Sequence, residues 1–179
     1  MGIIKLTGNQ IYDRLKILRD SNDVRVRIDA RRELIESDQN ILIELLDKLI
    51  KNETDVEILA YAAELIAESN DKKRADRILP LIQHVDPVLR RHVCGLLGNC
   101  GDEVAIDALI EKLQSDTSAD VRVVAAFALG KIGNKRSLLA LISARDYDFS
   151  TDFEGMAVSK QAILAIKEIE QQNHKPSSA

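Results

Sequence analysis

The 179-residue sequence is poor in the residues that build aromatic cores and disulfide frameworks. It has no tryptophan, aromatic residues make up 3% of the chain, and its two cysteines, Cys94 and Cys100, lie six positions apart. Two cysteines are too few for a disulfide framework, and their spacing differs from that of a Cys-x-x-Cys pair. We expect buried, reduced thiols, because free cysteine packs as a small hydrophobe; a reactive or metal-binding thiol is the alternative.

The sequence also lacks the features of a membrane or nucleic-acid-binding protein. No run approaches the roughly 18 apolar residues of a membrane span, and the N-terminus MGIIKLTG has no signal-peptide pattern. A net charge of −4 and a pI near 5.5 give no long-range attraction to phosphates. We therefore predict a cytoplasmic protein without a nucleic-acid or membrane partner.

The composition is that of a globular helical protein. Hydrophobic residues make up 45% and charged residues 30% of the chain. Alanine, leucine and isoleucine abound, so the core must be aliphatic, as close helix packing favours. We predict a single domain over residues 1–179, of the all-α class.

The sequence repeats itself at a spacing of 32 residues. The segment ADVRVVAAFALGKIGN, residues 119–134, is echoed by VLRRHVCGLLGNCGD, residues 88–102. One column at this spacing holds the small residues Ala30, Ala62, Cys94 and Ala126. Another holds the branched residues Leu46, Ile78, Ile110 and Ile142. The two columns predict two helices per repeat. Small residues on the first helix let a neighbouring helix pack close to it, and branched residues on the second helix fill the core.

The pattern predicts four helix pairs over residues 22–145. The first helices cover 23–36, 55–68, 87–97 and 120–132, and the second helices cover 39–51, 71–84, 103–115 and 135–145. A capping helix over 9–20 precedes them, and a helix over 156–171 follows, with a polar tail over 172–179. Asp86 with Pro87, and a capping box of Thr54 with Glu57, mark helix starts. Gly98 and Gly130 are predicted as left-handed helix ends.

The segments over 86–102 and 119–134 resemble HEAT repeats of the short bacterial type, first associated with phycobilin lyases. The shared pattern is an Asp, Val-Arg or a relative, an alanine-rich helix, Leu-Gly, and a turn with Gly and Asn or Asp. The resemblance covers about residues 23–171, although Leu34 and Ile66 replace the glycine column in the first two repeats. It implies a right-handed α-solenoid of about four to five helix pairs, whose second helices line a concave side.

Proteins of this family usually bind proteins or peptides on the concave face, and some act as lyases, hydroxylases or glycosylases. We therefore hypothesise a non-enzymatic interaction module that binds a protein partner, in a scaffold, chaperone-like or immunity-type role. The alternative is a phycobilin lyase or a related protein that handles bilins or phycobiliproteins. The candidate groove residues on the second helices are Glu44, Lys48, Arg77, Asp107, Glu111 and Arg136.

The predicted helix over 71–84 departs from the column pattern. Arg74 and Arg77 stand where other repeats have aliphatic residues, and Pro80 should kink the helix. Either the helix rotates, so that Ala75, Ile78, Leu79 and Ile82 face the core, or the arginines reach into the groove. With Lys73, the arginines would form a basic spot for an acidic partner segment; a bent helix with solvated arginines is the plainer alternative.

The segment DYDFSTDFEG, residues 146–155, interrupts the repeat and holds three of the six aromatic residues: Tyr147, Phe149 and Phe153. An EF-hand is excluded, because Thr151 stands where that loop requires glycine. One interpretation pairs Thr151 with Glu154 as a capping box, with Phe149 and Phe153 covering the end of the core. The alternatives are contact with a partner or metal binding.

The sequence shows no catalytic set and predicts no metal or cofactor. It has three histidines, His84, His92 and His174, and none is followed by Glu as in the repeated His-Glu pairs of iron-binding HEAT hydroxylases. There is no serine nucleophile with a matching base and no phosphate-binding loop. A non-enzymatic protein is therefore favoured; were it an enzyme, the resemblance points to bilin lyase activity.

Overall fold

The computed structural model describes residues 4–174. This part of the chain is all-α, as predicted, and its only β-type pairings are two isolated bridges. The α-helices are α1 Gly8–Asp20, α2 Val24–Ile35, α3 Gln39–Ile50, α4 Val56–Glu68, α5 Arg74–Ile78, α6 Pro87–Cys100, α7 Ile106–Ser115, α8 Ala119–Ile132, α9 Leu138–Tyr147 and α10 Val158–His174. Three short 3-10 helices are η1 Leu79–Gln83, η2 Glu103–Ala105 and η3 Lys135–Ser137. No helix among these is long and apolar enough to cross a membrane.

The chain divides into two compact units, unit 1 over Met1–Arg77 and unit 2 over Ile78–Ala179. In unit 1, α3 packs against α4, and α1 contacts both α2 and α4. In unit 2, the first helices of successive repeats, α6, α8 and α10, pack side by side. The second helix of each repeat packs against the first helix of the next, α7 against α8 and α9 against α10. That the two units form one domain stays a prediction.

The predicted helix over 71–84 is replaced by the short α5 followed by η1. Pro80 has no N–H to donate to the carbonyl of Asp76, so the α-helix ends at Ile78 and continues as a tighter 3-10 turn. Ala75, Ile78 and Ile82 are buried. Leu79 is half-buried. The rotated arrangement of this segment is thereby confirmed for Ala75, Ile78 and Ile82, with its kink at the predicted proline.

Aspartates cap the N-termini of four described α-helices: α2, α3, α4 and α6. The Asp86 carboxylate accepts the N–H groups of Val88 and Leu89, as predicted for the Asp-Pro start of α6. The capping box of Thr54 with Glu57 is wrong. Asp55 takes the cap position of α4, and its carboxylate accepts the N–H of Glu57 at 3.1 Å, because a carboxylate directly before the helix satisfies those donors itself.

The prediction that Gly98 and Gly130 end helices is wrong. Gly98 lies inside α6, and Gly130 lies inside α8. The left-handed ends are Gly101 and Gly133, with φ angles of 68° and 77°. An added Cβ on Gly98 would lie 2.8 Å from the Cα of Ala128, and one on Gly130 would lie 2.7 Å from the Cα of Ala165. These glycines therefore allow neighbouring helices to approach closely.

Replacing Gly130 by alanine should lower the free energy of unfolding by about 1–3 kcal/mol, because its methyl group would overlap the backbone of α10. Gly95, in α6, is a matched control, since a Cβ there would meet only a methyl group of Val124 at 3.7 Å. Gly95→Ala should instead stabilise α6 by up to about 1 kcal/mol. Urea unfolding of both variants tests this; equal effects would contradict the close approach.

The small-residue column is buried as predicted, but the branched column is only partly correct. Leu46 and Ile78 are fully buried, whereas Ile110 is half-buried and Ile142 is 37% exposed. Leu109 in α7 and Leu141 in α9, each one position earlier than the predicted residue, are fully buried instead. Both helices follow a 3-10 turn, which has about three residues per turn instead of 3.6 and so rotates the buried face.

Candidate functional site

Three residues predicted to bind a partner, Glu44 and Arg77 of the groove and Lys73 of the basic spot, line a cleft of about 920 Å³ in unit 1. The Lys48 ammonium lies 2.7 Å from the Glu44 carboxylate, in an exposed pair one helical turn apart. Hydrogen bonding to Lys48 lowers the pKa of Glu44. Arg74 is half-buried and has interactions of its own. The cleft and the Glu44–Lys48 pair thus bring together Glu44, Lys48, Lys73 and Arg77, which carry both signs of charge.

The Arg77 guanidinium is neutralised within unit 1. Its Nε lies 2.5 Å from a carboxylate oxygen of Asp71, and its Nη1 lies 3.6 Å from Asp47. The backbone N–H of Lys73 and then the Arg77 guanidinium hold the pKa of Asp71 below its usual value. A basic spot in this region would therefore consist chiefly of the exposed lysines, Lys72 and Lys73.

The remaining groove residues belong to unit 2, where they also have partners. The Arg136 guanidinium lies 2.7 Å from the Asp107 carboxylate. Glu111 accepts hydrogen bonds from the Gln83 side-chain amide at 3.2 and 3.3 Å and lies 3.6 Å from the Lys112 ammonium. Every predicted groove charge of unit 2 is thus paired within the chain.

The aromatic loop, residues 146–155, exposes three large apolar side chains of unit 2. Tyr147 is 83% exposed, Phe149 71% and Phe153 69%. The interpretation that Phe149 and Phe153 cover the end of the core is therefore wrong. Apolar residues of α10 fill that part of the core instead: Val158, Ala162, Ala165 and Ile169.

The aromatic loop is exposed but held firmly. The Asp152 carboxylate accepts the N–H groups of Glu154 at 3.0 Å and Met156 at 2.8 Å, and the Asp152 N–H donates to the Met156 carbonyl at 3.0 Å. The Phe153 N–H donates to the Asp120 carboxylate of α8 at 2.8 Å. The predicted capping box of Thr151 with Glu154 is wrong, because Asp152 takes the Glu154 N–H and α10 begins only at Val158.

Arg122 of α8 anchors the start of the aromatic loop. Its Nε lies 2.6 Å from the Asp148 carboxylate, and its Nη1 donates to the Asp116 carbonyl at 2.7 Å. Burial alone would raise the pKa of Asp148, but the hydrogen bonds from Arg122 and Ser150 lower it. The loop is therefore attached to the preceding repeat through a charged hydrogen bond.

The same arrangement occurs one repeat earlier and was missed in the sequence. Arg90 donates to both carboxylate oxygens of Asp116, at 2.7 and 2.8 Å, and to the carbonyls of His84 and Val85 at 2.9 and 2.8 Å. Arg90 precedes Arg122 by 32 residues, and Asp116 precedes Asp148 by the same number. Extending the 32-residue comparison to charged residues could have marked these four residues as a repeated set, but not which arginine binds which aspartate.

Phe153 also reaches across to α6. The Arg91 guanidinium lies 5.0 Å from the centre of the Phe153 ring, in a cation–π contact. Val88, one turn before Arg91 on the same helix, is 65% exposed. An aromatic ring, a guanidinium and an aliphatic side chain thus lie at neighbouring points of one surface, a combination typical of protein interfaces.

Comparison with known proteins identifies the repeat. A family profile described as HEAT repeats matches residues 42–122, and one described as PBS lyase HEAT-like repeat matches residues 121–146. The chain is a HEAT-repeat protein. The two matches adjoin and include the echoed segments over 88–102 and 119–134 that carry the resemblance. No curated protein matches the chain.

Solved structures similar to this HEAT-repeat protein include two of different origin. Human deoxyhypusine hydroxylase in complex with glycerol has a TM-score of 0.62 and 21% identity, over 79% of this chain and 48% of its own. An engineered protein has a TM-score of 0.51 and 22% identity, over 90% of this chain and 79% of its own. This chain spans about half the length of the hydroxylase, and both likenesses show the fold alone.

The histidines and cysteines of the HEAT repeats are the candidates for metal binding or reactivity. No group of three or more His, Cys, Asp or Glu within residues 4–174 is arranged to hold a metal ion. His84 Nδ1 accepts the Asp86 N–H, and His92 Nε2 is buried without a hydrogen bond. Burial raises the pKa of the Cys94 thiol to about 12, as expected of an unreactive core residue. Cys100 is half-buried, and the His174 side chain lies outside the described residues.

Proposed function

We propose that this helical repeat scaffold is a non-enzymatic interaction module whose protein partner docks on the aromatic loop of unit 2. The observation that carries the proposal is the exposure of Tyr147, Phe149 and Phe153 on a loop whose backbone is held by hydrogen bonds. Aromatic side chains of this kind are typical anchors of protein interfaces.

The fixed backbone of the loop supports this role energetically. Binding orders flexible segments at a cost in entropy, and a loop that is already ordered avoids most of that cost. Asp148 and Asp152 are used to hold the loop through Arg122 and the loop's own N–H groups. The aromatic rings that this framework presents are left to contact a partner.

The aromatic loop is a better candidate than the predicted charged groove. The groove charges Asp107, Glu111 and Arg136 are satisfied by neighbours in unit 2, so a partner would have to displace those contacts. Exposed ion pairs of this kind contribute little to binding energy. The exposed rings need no such displacement, because water alone covers most of their surface.

The test is a quantitative pull-down from cells that express the tagged protein, with the bound partner measured by mass spectrometry. The double variant Phe149→Ala/Phe153→Ala should retain at most about a tenth of the partner captured by the wild type, as loss of interface anchors does. Both side chains are exposed, so circular dichroism and the melting temperature should change little.

Leu139→Ala is the matched control. Leu139, at the start of α9, is 82% exposed and lies outside the aromatic loop. It should capture as much partner as the wild type. Equal capture by the loop variant and the control would contradict the proposal, as would a wild type that enriches no protein over a tag-only sample.

A bilin-handling role is the second candidate, favoured by the PBS lyase HEAT-like repeat over residues 121–146. A cleft of about 490 Å³ in unit 2, lined in part by Arg122 and Tyr147, adjoins this repeat. Titration with a free bilin, followed by visible absorbance, tests this role. Saturable binding that Tyr147→Ala weakens would support it, and an unchanged bilin spectrum would contradict it.

A further inference from the structure

Helix α2 of unit 1 leaves an apolar face uncovered. It buries only Ala30 and Leu34 of its 12 residues, whereas α4, the first helix of the next repeat, buries six of 13. The side chains Val24, Ile28 and Ile35 share this face of α2 and are between 51% and 57% exposed. An exposed group of apolar side chains on one helix face indicates an interaction surface.

A line of alternating charges runs beside this apolar face. Arg25, Asp29, Arg32 and Glu36 follow one another at intervals of four, three and four residues, which places them along one side of α2 and its C-terminal cap. All four are exposed. The Arg32 guanidinium lies 2.6 Å from Asp29, while the side chains of Arg25 and Glu36 have no partner within residues 4–174.

Read from either end of α2, the four charges alternate in sign, and the two ends of the line carry opposite charges. The line can therefore pair with an antiparallel copy of itself. If a second α2 lies antiparallel to the first, Arg25 faces Glu36 of the second copy and Asp29 faces its Arg32. In the same alignment Ile28 lies about 3 Å along the axis from the level of Ile35 of the second copy, on the side of α2 that these two residues share, so exposed apolar residues also meet. A parallel arrangement in register would instead oppose each charge to itself, which is unfavourable.

We propose that α2 mediates a twofold-symmetric dimer, in which the apolar face and the charge line of one copy pack antiparallel against those of a second copy. Twofold dimers use one self-complementary surface on both subunits, and α2 provides such a surface. The charge line has two positive and two negative members, so it does not favour a purely acidic or purely basic partner. The proposal is independent of the function assigned to the aromatic loop.

The size of the α2 surface sets the expected affinity of the dimer. A 12-residue helix is about 18 Å long, shorter than the contact usually needed for about 800 Å² per partner. We therefore expect a dimer with a dissociation constant on the order of micromolar to 100 μM, weakened by salt. Sedimentation equilibrium over this concentration range should show a monomer–dimer equilibrium.

Charge reversal tests the antiparallel alignment. Arg25→Glu and Glu36→Arg should each weaken self-association by about tenfold or more, because each places like charges opposite one another twice per dimer. Mixing the two single variants should restore association, since every opposed pair is then complementary. The double variant Arg25→Glu/Glu36→Arg should dimerise like the wild type.

Loss of folding does not explain these outcomes. Glu at position 25 lies in the first turn of α2 and Arg at position 36 lies at its end, where each charge favours the helix dipole. Leu139→Asp, at an exposed apolar position of unit 2, is a control that should dimerise normally. A wild type that stays monomeric up to about 500 μM, well above the expected range, would overturn the proposal. So would single reversals that leave dimerisation unchanged, or a mixture that fails to associate.

Discussion

Replacing Asp116 by alanine is expected to lower the free energy of unfolding of unit 2 by about 3–5 kcal/mol, because it leaves a buried charge without its partner. The Asp116 side chain is 2% exposed and that of Arg90 11% exposed, and the two form a bidentate pair. Asp116 also accepts the N–H of Ser118 at 3.0 Å, and this donor would lose its acceptor. Urea unfolding followed by circular dichroism measures the effect.

Asp107→Ala is the control for this prediction. It removes an ion pair of the same chemistry, with Arg136, but its side chain is 78% exposed, so the loss should stay below about 1 kcal/mol. Equal losses for the two variants would show that burial of the Arg90–Asp116 pair does not matter.

The loss of stability caused by Asp116→Ala should be smaller at low pH than at neutral pH. Burial raises the pKa of Asp116, but hydrogen bonds from Arg90 and Ser118 outweigh burial and lower it in the folded protein. The stabilisation is therefore complete above the unfolded pKa of about 3.9 and is lost as the pH falls through the lower folded value. The stability difference between wild type and variant should shrink below about pH 4; a constant difference would contradict this.

Leu109→Ala is expected to cost about 2–5 kcal/mol, because it leaves a cavity in the core of unit 2. Leu109 is fully buried in α7. The cost depends on how far the neighbouring helices can close around the missing side chain. Denaturant unfolding should show a lower midpoint with an unchanged slope, since only stability and not the exposed area changes.

Ile142→Ala tests the register of the second helices. Ile142 belongs to the predicted branched column, but it is 37% exposed in α9, so its truncation should cost less than about 1 kcal/mol. A loss at Ile142 as large as at Leu109 would mean that the predicted column, and not the rotated face, is buried.

Most helices could be predicted because their ends carry local chemical signals. The starts of α2, α4 and α6 each follow an aspartate that accepts helix N–H groups, and the 32-residue spacing repeats the apolar faces. The glycines were misassigned because two roles favour the same residue. Gly101 needs a left-handed φ angle, whereas Gly98 needs the absence of a side chain beside Ala128.

The candidate site was only partly predictable. The aromatic loop stood out in the sequence, but whether Phe149 and Phe153 face the core or water depends on α10, whose own side chains fill the space. The groove residues Glu44 and Asp107 are exposed, yet their charges are paired with Lys48 and Arg136. Neither pairing nor exposure is encoded by spacing alone.

The sequence by itself determined the all-α class, the repeat length and most helix bounds, because these follow from capping and from apolar periodicity along one segment. The tertiary structure alone decided which faces are buried, that Arg90 and Arg122 hold the following turns through Asp116 and Asp148, and that the aromatic loop and α2 stay exposed. These features depend on contacts between residues of different helices, and such contacts exist only once the helices have packed.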